Sequence, residues 1–318
     1  MLISKHKVFW FLCALLVAGG LLLNSCATAP AEDAGTEEVQ EDTPTTDGEG
    51  DHFLWEIQGG TGKLHIFGSI HLATSDVYPL PEFIYDIFES SDSLILEVNI
   101  AEAGPDAFFG AQSLMEYPDG QSLENDLSES EIELLTDILG KLGIPFDMVK
   151  HLKPWVIEAT LVTTLAQQHG IQAEYGIDMH FAELAEDLDM PVIALETIEE
   201  QLNLLGSLDT ETQAAQLMRS VENYQDISEY VQELLQIWRN GDLQGMEDSI
   251  AESLLSDPEL QPYYESMFTR RNHAWARTLI EELETPGDSF VVVGSGHLVG
   301  PENVIEILRD AGYQAVRF

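Results

Sequence analysis

From residue 53 onward, short apolar runs alternate with longer amphipathic stretches, the pattern of strands and helices taken in turn. Phe53 to Ile57 and Lys63 to Gly68 predict two strands, joined as a hairpin by the turn-forming Gly59-Gly60-Thr61-Gly62. After Pro79-Leu80-Pro81, the apolar residues Phe83, Ile84, Ile87 and Phe88 share one helical face, and Ser93 to Val98 then reads as a buried strand. Strand, helix, strand predicts a βαβ unit, whose right-handed crossover makes the strands parallel and brings their C-terminal ends to one sheet edge. The strand ending at Glu97 is expected beside the one that delivers His71. Helices are predicted over about 128–142, 145–169 with a break at Lys153-Pro154-Trp155, and 176–189, before a short strand from Pro191 to Leu195. From about 198 to 285 the pattern is amphipathic helix throughout. Ser289 to Val293 is a last core strand, followed by a helix over 301–311 and a closing strand over 314–318. The expected class is α/β: a central mixed sheet containing a parallel βαβ unit, flanked by helices and carrying a large helical insertion.

The first 52 residues follow neither period. Lys5, His6 and Lys7 precede an uninterrupted apolar or small stretch from Val8 to Leu23, too short and wrongly flanked for a confident membrane span. It ends in Leu23-Asn24-Ser25-Cys26, which resembles the lipobox of bacterial lipoproteins. That resemblance implies a signal peptide over 1–25, cleavage before Cys26 and lipid on its thiol and new amine; an uncleaved anchor helix is the alternative. Residues 26–52 then read as an acidic tether, with nine Asp or Glu, no Lys or Arg, and too little apolar surface to order itself. The domain over 53–318 is expected on the extracytoplasmic side of the cell envelope, held to the membrane by its N-terminal lipid.

Composition sharpens this picture. The 318 residues carry 57 Asp and Glu against 13 Lys and Arg, a formal net charge of −44, yet 44 % are hydrophobic. There is enough apolar side chain for a core, and phosphate-directed nucleic-acid binding is excluded because the charge has the wrong sign. Removing the signal and tether leaves 48 acids against 11 bases, so the domain itself carries −37. A solvated acidic surface of this kind suits high salt, as in a halophile, and loss of the fold on moving from molar to low salt is the corresponding test. The only cysteines are Cys13 and Cys26, so the domain has no disulfide, thiolate metal site or cysteine nucleophile. A metal there must be held by histidine and carboxylate.

Two apolar strands run into the same signature. Leu64-His65-Ile66-Phe67 leads into Gly68-Ser69-Ile70-His71-Leu72, and Phe290-Val291-Val292-Val293 into Gly294-Ser295-Gly296-His297-Leu298. Glycine is expected to let the chain turn sharply off the strand, so that each histidine points over the sheet edge where ligands of open α/β sheets bind. Glu97 closes the strand Leu94-Ile95-Leu96 at the same edge, and a carboxylate after an apolar run is costly without a partner. His71, Glu97 and His297 thus form a candidate two-histidine, one-carboxylate metal set, with Glu196 either joining it or standing behind it. Alternatively Glu97 is an ion-pair partner of Lys63 or Arg271. Arg270-Arg271-Asn272 either neutralises a helix face or clamps an anion or carboxylate over the site. Asp178 is read first as a helix N-cap, Ser69 and Ser295 only weakly as nucleophiles, and Trp155, Trp238 and Trp275 as core.

Taken together, Gly68-Ser-Ile-His71, Glu97, Leu152-Lys-Pro-Trp155, Tyr175-Gly-Ile-Asp178, Leu195-Glu-Thr197, Arg271-Asn272 with Trp275-Ala276, and Val293-Gly-Ser-Gly-His297-Leu-Val-Gly300 resemble the TraB/PrgY/GumN family, which includes the TIKI-type metalloproteases. The resemblance covers essentially the whole domain. It implies a divalent-metal site built from the two Gly-x-x-His motifs and Glu97, and a sheet related to that of the erythromycin-esterase (EreA) and ChaN-like proteins. The function expected is a metal-dependent hydrolase, a peptidase acting on peptide or protein, with Mn, Co or Zn as the ion. Arg271 and Asn272 are expected to orient substrate or stabilise the oxyanion. The alternative is a non-catalytic lipoprotein that sequesters a peptide, a haem or a metal.

Overall fold

One mixed sheet organises the computed structural model, which describes residues 52–99, 110, 112–256, 258 and 260–318. The expected signal segment, Cys26 and all of the tether but His52 lie outside the described residues. The strands are β1 (Leu54–Gln58), β2 (Lys63–Ser69), β3 (Ser93–Leu96), β4 (Val192–Ala194), β5 (Asp288–Gly294) and β6 (Gln314–Arg317), in the order β4-β3-β5-β2-β1-β6. β2, β5, β3 and β4 are mutually parallel, whereas β1 runs antiparallel to β2 and β6. The α/β class stands as expected. One placement is corrected: β3 is parallel to β2 but not beside it, because β5 lies between them. The physical reason is burial. Phe290, Val291, Val292 and Val293 are at most 1 % exposed, and a run apolar on both faces is best covered at the centre of a sheet.

The glycine expectation also changes. Neither Gly68 nor Gly294 has a positive φ; what Gly68 supplies is a missing side chain. A Cβ there would lie 2.8 Å from Phe53 Cβ and 3.1 Å from both Leu298 Cδ1 and Ser295 Cα, so the strand end is clamped between its neighbours. Gly68→Ala is therefore expected to cost about 1–3 kcal/mol in urea unfolding. Gly140, whose Cβ would meet nothing within 4 Å, is the control, with Gly140→Ala neutral or stabilising by up to about 1 kcal/mol.

The first helices are α1 (Glu82–Glu89), α2 (Glu129–Lys141), α3 (Phe146–Val149), α4 (Pro154–Gln167) and α5 (Ile177–Asp187). Beyond β4 come α6 (Ile198–Leu205), α7 (Thr210–Glu222), α8 (Tyr224–Arg239), α9 (Leu243–Ile250), α10 (Gln261–Tyr264) and α11 (Arg270–Leu283), and α12 (Val304–Asp310) follows β5. Local chemistry sets their ends. Ser128 with Glu131, and Thr197 with Glu200, form capping boxes that start α2 and α6, while Pro154 opens α4 where its missing N–H is harmless. On one sheet face Phe67 and Phe290 meet Phe88 of α1 and Phe181 of α5, with Phe181 and Phe290 centroids 4.8 Å apart.

Buried positions run round α4 instead of along one stripe, because it packs against both α7 and α8. Among them is Glu158, which accepts a hydrogen bond from Ser220 Oγ of α7. Burial pushes its carboxyl up to about 8. Two five-residue π turns, Ala251–Leu255 and Glu265–Thr269, interrupt the later helices, and the second runs directly into α11. Among the described residues no helix is long and apolar enough to cross a membrane.

Candidate functional site

The C-terminal ends of β2, β5, β3 and β4 deliver His71, His297, Glu97 and Glu196 to one edge of the sheet. A Cβ built on Gly294 would lie 3.2 Å from Glu97 Oε1, 3.6 Å from His297 Cδ2 and 3.7 Å from His71 Nε2. Three groups far apart in sequence therefore converge over one residue that has no side chain. The Gly294 N–H donates to Glu97 Oε1 at 2.7 Å, which fixes the carboxylate against the end of β5.

Each histidine is oriented by an oxygen at Nδ1. His71 lies on a loop held by a backbone pair between Ala73 and Gln172, and the Ile177 N–H donates to the Ile70 carbonyl. That docking brings Asp178 Oδ1 to 3.0 Å from His71 Nδ1. A carboxylate there selects the tautomer with hydrogen on Nδ1 and leaves the Nε2 lone pair for the cluster. For His297 the assignment follows from Asn272. Its Nδ2 donates to the Glu302 carbonyl at 2.9 Å, so its Oδ1 faces His297 Nδ1, 2.6 Å away, and accepts from it. His297 is fully buried between Phe268 and Trp275, with ring centroids 4.9 and 4.4 Å away. Burial, reinforced by the Arg271 charge, lowers its pKa to about 3, so the ring is neutral.

Arg271 ties the carboxylates to the histidine. Its Nε and Nη2 donate to Glu196 at 3.0 and 2.6 Å, Nη2 also reaches Glu97 Oε2 at 2.7 Å, and Nη1 donates to His297 Nε2 at 3.0 Å. The fork geometry of a guanidinium suits this double carboxylate contact. Its Cζ also lies 4.4 Å from the Trp275 ring. Burial alone would raise the Glu97 carboxyl, but Arg271, followed by His297 and His71, brings it down to about 2. Glu196 moves the other way, raised by burial and by the neighbouring Glu97 charge. Two carboxylates facing one guanidinium leave a surplus negative charge that a further cation would balance.

The expected residues thus meet, but two roles are corrected. Asn272 uses both ends of its amide on His297 and the Glu302 backbone, and Arg271, 4 % exposed, uses its donors inside the protein. In this arrangement neither is a donor waiting for an oxyanion or substrate; both position the cluster. Asp178 is not the N-cap of α5, which is Gly176; it sits two residues on, within the first turn, and holds His71. Lys63 pairs with Glu56, so Arg271 is the Glu97 partner. Sequence reasoning missed Gln201, 1 % exposed, whose Nε2 is 3.2 Å from both Glu97 Oε2 and Glu196 Oε1. It also missed Trp275 as a wall of the site.

The fit to a divalent ion divides. In donor type, tautomer and charge the residues fit: two histidines with Nδ1 anchored and an ionised carboxylate at their meeting point. In spacing, no three His, Cys, Asp or Glu among the described residues stand as a metal-holding group. Arg271 donates to both His297 Nε2 and Glu97 Oε2, so an ion at these atoms would have to compete with it.

Comparisons with known proteins identify relatives over nearly the whole domain. An uncharacterized protein, YbaP, of Escherichia coli (strain K12) is 28% identical over 264 residues, covering 82% of this chain and 94% of that protein. An uncharacterized protein of Treponema pallidum (strain Nichols) is 22% identical, covering 94% of this chain and 89% of its own. The metalloprotease TIKI2 of Danio rerio is 23% identical over 358 residues, covering 92% of this chain and 66% of its own. No solved structure matches significantly, so the expected kinship with the erythromycin-esterase and ChaN-like sheets finds no support there. The family model described as TraB/PrgY/gumN matches residues 53–317, from β1 to the end of β6, and the chain belongs to that family.

Proposed function

We propose that the protein is a metal-dependent hydrolase, a peptidase, in which His71, Glu97 and His297 hold a divalent ion such as Mn, Co or Zn, with Glu196 behind them through Arg271. The observation that carries this reading is the convergence of two histidines, each anchored at Nδ1, and an ionised glutamate over Gly294, each held from behind by a dedicated partner. The distant TIKI2 metalloproteases support it at the level of the family. A bound ion would lower the pKa of a water and polarise a scissile carbonyl. The chain's own part is to keep the ligands in register. Asp178 and Asn272 fix the imidazole tautomers, Gly294 N–H and Gln201 hold Glu97, and Trp275 and Phe268 keep water from His297. Lipid at Cys26 would station this domain against the membrane on the extracytoplasmic side, where peptides and proteins are its substrates.

The test measures bound metal and hydrolysis of a peptide library on the full chain, for wild type and the His71→Ala variant. His71→Ala is expected to abolish both. Asp178→Ala, which leaves the ligands in place, is expected to lower metal affinity or turnover by about 10–100-fold. A folded His71→Ala chain that binds metal and cleaves peptide as wild type does sinks the assignment. Metal or peptide binding that depends on His71 without any hydrolysis turns the reading to a sequestering lipoprotein.

A further inference from the structure

A cavity of about 630 Å³ opens beside the cluster, between the ends of β3 and β4 and helix α5. Its floor is apolar, from Leu96, Val192 and Val292, and Ala182 and Ala185 keep the helix wall low. His71, Glu97 and Asp178 stand at one end. Glu183, Glu186 and Asp189 are exposed on the remaining rim, and among the described residues no Lys or Arg lines it. Buried polar atoms of the lining without a hydrogen-bond partner include Ser69 Oγ, on a residue 2 % exposed, and Asp178 Oδ2, on a residue 7 % exposed. A buried polar atom without a partner is costly, and both belong to residues that line the cavity. Asp178 accepts and Ser69 donates or accepts, which matches the N–H and C=O groups of an extended backbone.

Distance along α5 sets the register. From Asp178 to Glu186 is about 12 Å at ~1.5 Å per helical residue, a length that an extended peptide covers in three to four residues at ~3.3 Å each. We propose that this cavity is the groove for an extended peptide segment, small apolar side chains lying over Ala182 and Ala185 and a Lys or Arg side chain meeting Glu183, Glu186 and Asp189 three to four residues from the bond to be cut. This substrate class rests on the hydrolase reading of the His71 end.

The test separates the two. Fluorescein-labelled ten-residue peptides, identical except for a single Lys or Glu at successive positions, are titrated against the full chain by anisotropy in about 0.1 M salt, with chelator to halt turnover. The Lys peptides are expected to bind about tenfold tighter at the favoured position, and E183Q/E186Q/D189N to reduce that preference below about threefold. The exposed control set E133Q/E222Q/E281Q removes the same net charge elsewhere and is expected to keep the full preference. Equal affinity for Lys and Glu peptides, no peptide binding, or equal loss in both triple variants overturns the groove. Hydrolysis is followed separately with metal restored; selective binding without cleavage removes the hydrolase reading and leaves the groove standing.

Discussion

Arg271→Met is expected to destabilise the fold by about 3–5 kcal/mol at pH 7, read as the shift in urea unfolding at constant slope. Methionine keeps the packing against Trp275 but leaves the buried Glu97 and the partly buried Glu196 facing each other without a counter-charge. Removing one member of a buried ion pair costs far more than the pair contributes, because the remaining charge stays desolvated. Adding Glu196→Gln to Arg271→Met is expected to recover part of the loss, since the amide that replaces the carboxylate is neutral, no longer repels Glu97 and can donate to it. Arg271→Lys keeps the charge but not the fork, and falls between the two. A loss below about 1 kcal/mol for Arg271→Met would show that the guanidinium is not what holds these acids in place.

The second large effect is a stability profile with two opposed slopes. His297 is held at about 3 in the fold, against the ordinary 6.5. Between those values the unfolded chain takes up a proton that the fold refuses, so stability declines as pH falls from 6.5. Glu158 is held at about 8, against the ordinary 4.5, so the fold keeps a proton that the unfolded chain gives up. Its contribution is complete below 4.5 and is lost as pH rises toward 8. The two oppose each other between 4.5 and 6.5 and Glu158 acts alone above that, which predicts an alkaline decline of a few kcal/mol at pH 8. Glu158→Gln, which still accepts from Ser220 Oγ, is expected to abolish that decline while changing little at pH 4.5. Parallel curves for wild type and variant from pH 5 to 8 would rule out Glu158 as its origin.

What the sequence revealed of all this follows the range of the interactions. The strands and the helix limits up to about residue 189 were legible because apolar runs and prolines act locally, as at Pro154, whereas 198–285 read only as amphipathic helix throughout. The sheet order was not, because the choice of β5 as the neighbour of both β2 and β3 is made by burial of the whole molecule. His71, Glu97 and His297 were legible because each ends an apolar strand. The roles of Arg271 and Asn272 were not, since they depend on reaching Glu97 and His297 across the fold from α11. Asp178 was visible as a residue near a helix start, but only two residues separate the cap from the histidine partner, and only the docking of the His71 loop decides between them. Nothing local marked Gln201.

The central place of β5 has a consequence for how this chain comes into being. β2 and β3 are made early, yet the strand that joins them arrives only with residues 288–294. Until then both present open hydrogen-bonding edges of apolar sequence, the kind of surface on which unfinished chains stick to one another. Pairing over such separations is slow. A chain stopped short of β5 would therefore lack His297 and be prone to aggregate, and the cluster of histidine and glutamate comes together only at the last stage of synthesis, which ties assembly of the sheet edge to completion of β5.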